Sequence, residues 1–298
     1  MAKVAFFGVG LMGEPMAAHL LGAGHDVLVV AHRNRGGLER LVARGAVEAA
    51  TAAEAVARTD TAIFVLPTAN DVEGVLFGSG AAAMSRGYTV IDMGTSFPPH
   101  TRRLAARVRE CGGRFLDAPV TGGPKGAQEG TLTIMVGGEA STLEAVRPLL
   151  EAMGSSIYHF GDVGAGHTAK LVQNMIGIVS TAAIAEGFAL ASAAGLDPQQ
   201  LFRMLSSSTA ASPALASMIP KVFARAFDQV SFRLDLAYKD IRQATQLARE
   251  MTVPLLAANG AVELLQLARA LGFGSLDSTG VIRGLETILG IEVRPAGT

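Results

Sequence analysis

The sequence predicts an α/β protein in two parts, a mostly parallel β-sheet layered with helices and then an all-α half. Three observations predict it. Short β-branched runs alternate with helical stretches through the first half, the pattern of βαβ units. The first such run ends in Gly8-Val9-Gly10-Leu11-Met12-Gly13, a glycine-rich turn set between a strand and a helix. After Gly161 no stretch reads as a strand.

The elements follow in order. Val4–Phe7 is the first strand, and Met12–Leu21 is the helix after its glycines. Val27–Val30 is the second strand, with Leu38–Ala43 in the next helix. Ala62–Leu66 is a strand closed by Pro67, and Thr89–Asp92 is another closed by Gly94. Pro98–Cys111 is a helix opened by prolines, and Arg114–Asp117 is a fifth strand. Thr131–Val136 and Ser156–Phe160 are two more, separated by a helix over Thr142–Met153. Thr168–Ala194 then holds a helical period through to Gly195, a residue type that caps helices in the left-handed conformation. This long helix is expected to link the two parts. Asp197-Pro198 opens the next helix, with Pro in its first turn. Further helices fit Pro213–Ala226, Asp235–Met251, Pro254–Leu271 and Ser278–Leu289.

Composition narrows the function classes. At 298 residues the chain has room for two domains. Its 25 Lys+Arg and 26 Asp+Glu give a net charge of −1, and with 5% aromatics and no Trp it lacks the footprint of a nucleic-acid binder. A single cysteine, Cys111, excludes an intrachain disulfide and fits a reducing compartment, so a cytoplasmic protein is expected. The six histidines form no close HxxxH pair, so no metal site is expected. The apolar stretch between Lys170 and Glu186 is shorter than the roughly 20 residues of a membrane span and reads as a buried helix of a soluble protein. The N-terminus breaks into glycines at once and makes a poor signal peptide.

The glycine-rich turn carries the first chemistry. Gly8 permits a tight turn, Gly10 lets the backbone approach a pyrophosphate, and Gly13 lets helix and strand pack closely. Together with Leu11 and Met12 they place the phosphates at a helix N-terminus, where unbonded N–H groups and a partial positive charge attract them. The first part is therefore expected to be a Rossmann-type NAD(P)-binding domain over residues 1–162, and residues 163–298 an all-helical domain. NAD binders place a carboxylate at the end of the second strand, but this one ends Val30-Ala31-His32-Arg33-Asn34-Arg35. Arg33 and Arg35 suit a 2′-phosphate, so NADP is expected, with NAD possible; the alternative is an exposed basic loop.

Lys170 and Asn174 are four apart and share one face of the long helix. A lysine on an otherwise apolar helix is desolvated, which lowers its pKa towards a value useful for acid–base work. His167 precedes Lys170 by three residues and either lines the cleft or simply starts the helix. Arg102, Arg103, Arg107 and Arg109 read as a solvated helix face.

Five ordered segments resemble the β-hydroxyacid dehydrogenase family: FGVGLMGEPMAAHLLGAGH, LDAPVTGG at Leu116–Gly123, GTLTIMVGG at Gly130–Gly138, Gly164–Asn174, and LAYKD at Leu236–Asp240. That family includes 3-hydroxyisobutyrate dehydrogenase and 2-hydroxy-3-oxopropionate reductase. The resemblance implies that Lys170 is the catalytic acid–base and that Asn174 orients substrate beside it. It also implies that Thr121, Gly122 and Gly123 bind the substrate carboxylate, as an anion-binding nest of small residues can. Leu66, Pro67 and Thr95 match residues lining the cofactor, and Lys239 matches a lysine that reaches it from the helical half, with Asp240 beside it. The implied reaction interconverts a small carboxylate-bearing aldehyde and its alcohol, in a homodimer or homotetramer. Ser206–Ser217 lacks the aromatic pattern of 3-hydroxyisobutyrate dehydrogenases and lies nearer the 2-hydroxy-3-oxopropionate reductases. An imine reductase is the alternative enzyme, but such relatives usually lack a lysine at this position. A 6-phosphogluconate dehydrogenase pairs a His with the Asn, where this chain has Gln173. A non-catalytic oligomeric NADP-binding module is the alternative outside enzymes.

Overall fold

The computed structural model describes residues 1–30, 35–80 and 84–295. The first unit spans Met1–Lys170 and the second Leu171–Thr298. The division falls inside the long helix.

Unit one begins β1 (Lys3–Phe7), α1 (Gly13–Gly22), β2 (Asp26–Val30), α2 (Gly36–Val42), β3 (Val47–Ala49), α3 (Ala52–Ala57), β4 (Thr61–Phe64), α4 (Ala69–Val75), β5 (Thr89–Asp92), α5 (Pro98–Glu110) and β6 (Arg114–Asp117). These strands form a six-stranded parallel sheet of order β3-β2-β1-β4-β5-β6. Period-two alternation sends Val4 and Phe6 to one face and Ala5 and Phe7 to the other, and both faces are buried. The first face packs on Met16, Leu20, Leu38 and Leu41 of α1 and α2. The second packs on Val56, Val72, Leu104 and Val108 of α3, α4 and α5. Thr51 and Thr68 cap α3 and α4 by accepting from the amides of Glu54 and Asp71.

The chain continues through β7 (Val120–Thr121), α6 (Gly123–Glu129), β8 (Leu132–Val136), α7 (Ala140–Glu151) and β9 (Gly154–His159). Here the expectation of one sheet is corrected. These strands form a second sheet of order β7-β8-β9, in which β7 runs antiparallel to β8. A bridge between Asp117 and Gly137 joins the end of β6 to the chain just past β8.

The helix α8 (Ala165–Ala193) is followed by α9 (Pro198–Ser206), α10 (Pro213–Phe223), α11 (Leu234–Glu250), α12 (Leu256–Ala270) and α13 (Ile282–Leu289). The last is entered through a 3-10 turn at Ser278–Val281. Asp197 caps α9 by accepting from the amides of Gln199 and Gln200, as its Asp-Pro start predicts. Ile178, Ala182, Ala185 and Phe188 of α8 enter the helical core with Leu215, Ile219, Val222, Ile241 and Leu265. The helix is long and apolar enough by composition to cross a membrane. One side of it is buried in the helical core, as expected, and its other side exposes Val172, Ile176 and Leu190.

Candidate active site

The turns after β1, β4 and β5 lie at the carboxyl ends of parallel neighbours. Sequential connections diverge between β1 and β4, and such a switch point opens a crevice. Gly8 has φ of +99°, which suits glycine, and a Cβ there would collide with the Val65 carbonyl oxygen. A Cβ on Gly13 would collide with the Gly8 carbonyl oxygen. Gly10 differs, because nothing lies within 4 Å of where its Cβ would be. Two of the glycines therefore serve close packing, and the third keeps an approach open over the start of α1.

No side chain at Met12 caps α1. Glu14, the acidic residue of the first turn, is turned onto Arg40 at 2.6 Å, and this partner holds its carboxyl below the ordinary range. Gly94 lies so close to the Leu66 carbonyl that a Cβ would overlap it, so the loops after β4 and β5 touch through backbone. Leu66 and Thr95 are half-buried, and Pro67 is exposed. An open glycine over a helix start, flanked by two touching loops, fits a dinucleotide pyrophosphate.

Arg33 lies outside the described residues. Arg35 precedes α2, and its guanidinium sits 3.0 Å from Glu48 and 3.7 Å from Glu39. The expected 2′-phosphate ligand is thus held by two carboxylates of its own chain. Glu48 lies on β3, a strand too short to be read from the sequence. The α5 arginines are not all a plain solvated face either, since Arg107 pairs with Glu73 and stacks on the Phe77 ring.

Thr121 ends β7, opposite Thr133 of β8. Gly122 and Gly123 follow at φ of +123° and +62°, and a Cβ on Gly123 would meet nothing within 4 Å. This backbone conformation strains any residue with a side chain and leaves the loop open on one side.

The start of α8 is anchored from far away in sequence. Asp117, the last residue of β6, accepts from the amides of Gly164 at 2.7 Å and His167 at 2.8 Å. It is the helix N-cap in function, supplied from another element. Gly166 is pressed against the Asp117 and Met135 carbonyls, with no room for a Cβ. Lys170 follows within one turn and is only 8% exposed.

Asn174 is equally buried and, one turn beyond Lys170, donates from Nδ2 to Asp240 at 2.6 Å. Asp240 of α11 is 2% exposed, and its other oxygen lies 3.0 Å from Lys239 Nζ. Asn174, Lys239 and Asp240 are therefore brought together. The sequence reading missed the buried carboxylates Asp92 and Asp117 and the hydroxyl of Thr101. The signal available was an aspartate closing each of two apolar strands, TVID and RFLD.

Known proteins match along the whole chain. The family model for the NAD binding domain of 6-phosphogluconate dehydrogenase matches residues 3–161. The model for the NAD-binding domain of NADP-dependent 3-hydroxyisobutyrate dehydrogenase matches residues 164–285. The chain is 36% identical to 2-hydroxy-3-oxopropionate reductase of Escherichia coli over 95% of its own length and 97% of that protein. It is 34% identical to 2-(hydroxymethyl)glutarate dehydrogenase of Eubacterium barkeri over 98% and 97%. The structure of Mycobacterium tuberculosis 3-hydroxyisobutyrate dehydrogenase with L-serine superposes with a TM-score of 0.86 at 34% identity, covering 96% of this chain and 99% of that one. On matches of this extent, the chain belongs to the β-hydroxyacid dehydrogenase family and is an NAD(P)-dependent oxidoreductase.

Proposed function

We propose that the enzyme interconverts a small 3-hydroxy acid and its semialdehyde, in the manner of a 2-hydroxy-3-oxopropionate reductase, with Lys170 as the general acid–base. The observation that carries this reading is the pair of buried polar residues on one face of α8, Lys170 and Asn174, the second fixed by Asp240. The bound nicotinamide supplies the hydride chemistry. Lys170 gives a proton to the carbonyl oxygen during reduction and takes it from the hydroxyl during oxidation. Asn174, with one amide hydrogen committed to Asp240, holds a fixed orientation beside it. Thr121, Gly122 and Gly123 take the carboxylate through backbone N–H groups. Gly8, Gly10, Leu11, Met12 and Gly13 hold the pyrophosphate; Leu66, Pro67, Thr95 and Lys239 line the rest of the cofactor.

Preference for NADP is part of the same reading, and Arg33 and Arg35 are its carriers. Arg35 already makes charge-assisted bonds, so a 2′-phosphate must win it from Glu48. We also place the enzyme in the cytoplasm as a homodimer or homotetramer. Val172, Ile176, Ala183, Gly187 and Leu190 recur along one exposed side of α8, a stripe that a second copy of the chain would cover.

The test is NADPH oxidation with a panel of small semialdehydes that carry a carboxylate, followed by the same panel with Lys170→Met. The expected loss in kcat is roughly 10²–10⁴, with cofactor affinity little changed. Near wild-type turnover by Lys170→Met would return the enzyme to imine reduction, where the substrate brings its own nitrogen.

A further inference from the structure

His167 is fully buried at the start of α8 and takes no part in the proton transfer above. Its Nδ1 lies 2.8 Å from Thr101 Oγ1, and that hydroxyl lies 3.3 Å from the Phe97 carbonyl. Its Nε2 makes no hydrogen bond and faces Asp92 Oδ2 at 3.8 Å. Nδ1 is 3.9 Å from Asp117 Oδ2. The two aspartates are register partners on adjacent strands, both with no exposed surface. One imidazole therefore sits across two buried carboxylates.

The two carboxylates have separate duties. Asp92 accepts from the Gly94 amide at 2.9 Å and from Ser96 Oγ at 3.5 Å, and so shapes the loop that presents Thr95. Asp117 holds the first turn of α8. The ring of His167 faces both.

Charge decides where its hydrogens go. If Thr101 donates to Nδ1, a neutral ring has its hydrogen on Nε2. If Thr101 donates to Phe97, Nδ1 must donate to Thr101, and a lone pair left on Nε2 would face a carboxylate in a buried setting. A hydrogen on Nε2, directed at that carboxylate, is the arrangement without this repulsion.

We propose that His167 is a positioning residue: its Nε2–H, directed at Asp92, registers the first turn of α8, and with it Lys170, against the Gly94–Ser96 loop. The inference rests on the reading of Lys170 as the acid–base. A lysine displaced by about 1 Å can cost about 10²-fold in rate, so the register of this turn matters to catalysis without contact to substrate.

Two readouts test it on the full-length protein. The first is nitrogen NMR of histidine-labelled protein, with and without NADPH, with His167→Gln used to assign the ring. A hydrogen on Nε2 is expected, and a ring carrying its hydrogen on Nδ1 alone overturns the proposal. The second is kinetic. His167→Leu should lower kcat about 10- to 100-fold while cofactor KM moves less than about threefold. His167→Gln keeps a donor and should restore kcat to within about fivefold. An unchanged kcat in His167→Leu, or an equal loss in both variants, overturns the positioning role. If His167→Leu does not fold, Thr101→Val removes the Nδ1 partner while keeping the ring; a fall in kcat with KM spared supports the link, and an unchanged kcat overturns it. Lys170→Met separates the two layers. Retained turnover there ends the acid–base reading, whereas the NMR result still decides whether His167 is directed at Asp92.

Discussion

Alanine at Gly10 and alanine at Gly13 should fail in opposite ways, although both change one residue of the same motif. At Gly13 the new methyl would be driven into the Gly8 carbonyl oxygen, with the Phe6 ring at 3.1 Å. Neither can yield cheaply, since one is backbone and the other belongs to a fully buried core ring. Overpacking of this kind costs typically 1–3 kcal/mol, more where backbone must shift. At Gly10 the methyl would meet nothing within 4 Å, and the residue is not among those with positive φ. The folded state therefore loses nothing, and the unfolded chain loses some freedom, worth about 0.4–1 kcal/mol of added stability. The methyl instead occupies the approach to the start of α1. Lengthening one charge-assisted bond to the pyrophosphate costs roughly 1.5–3 kcal/mol, a 10- to 100-fold weaker Kd.

Two measurements on each variant separate these outcomes. Thermal unfolding without cofactor should show Gly13→Ala well below wild type and Gly10→Ala at or slightly above it. Fluorescence titration with NADPH should show Gly10→Ala binding 10- to 100-fold more weakly. Gly10→Ala with wild-type affinity would refute the assignment of this turn as the phosphate cradle, because its only structural distinction is the open space above it.

Other outcomes follow from single contacts. Glu48→Gln should release Arg35 and widen the NADPH over NADH preference in kcat/KM, and Arg35→Ala should narrow it; no change in either would show that Arg35 serves only its ion pairs. Ile176→Glu, on the exposed side of α8, should yield a smaller species in sedimentation than wild type, and an unchanged mass would overturn the proposal that a second copy covers this side. Asp277 gives the pH dependence. Burial alone would raise its pKa, but donation from Lys221, the Ser231 amide and hydroxyl, and Thr279 outweighs this and brings it from 3.8 to about 2. Its contribution, about 2 kcal/mol, is therefore complete above about pH 4 and lost as pH falls through about 2. Asp277→Asn should lower Tm at neutral pH and flatten the fall in stability across that acid window, as followed by circular dichroism.

Much of this molecule was legible in its sequence where the physical requirement is local. The Gly8–Gly13 turn is local: a strand, a tight turn and a helix within a few residues admit few side chains. The spacing of Lys170 and Asn174 is local, because helical geometry alone puts them on one face. The short elements were not legible. Three residues at Val47–Ala49 and two at Val120–Thr121 are too few to show alternation. The segment GPKGAQE of α6 has the composition of a loop. The strands at Thr131–Val136 and Ser156–Phe160 were found, but their separation into a second sheet was not.

What the sequence conceals most fully is the anchoring of the helix that carries Lys170. A helix N-terminus is ordinarily sought beside its cap, among Ser, Thr, Asp or Asn a residue or two ahead. Here the segment Gly164-Ala165-Gly166 offers no side chain for the purpose, and the cap arrives from β6 across almost fifty residues of chain. This arrangement has a consequence that a local cap lacks. A cap from the same segment would fix the start of α8 only to itself. A cap from the end of a sheet strand fixes it to the frame that also presents the cofactor turns. The glycines are part of the same device, since a Cβ on Gly166 would push the helix off the Asp117 and Met135 carbonyls. Lys170 is placed relative to the sheet by contacts made within one turn of it, through the backbone of Gly164, Gly166 and His167. Small and buried neighbours do this positioning, as the proposed acid–base role of Lys170 requires.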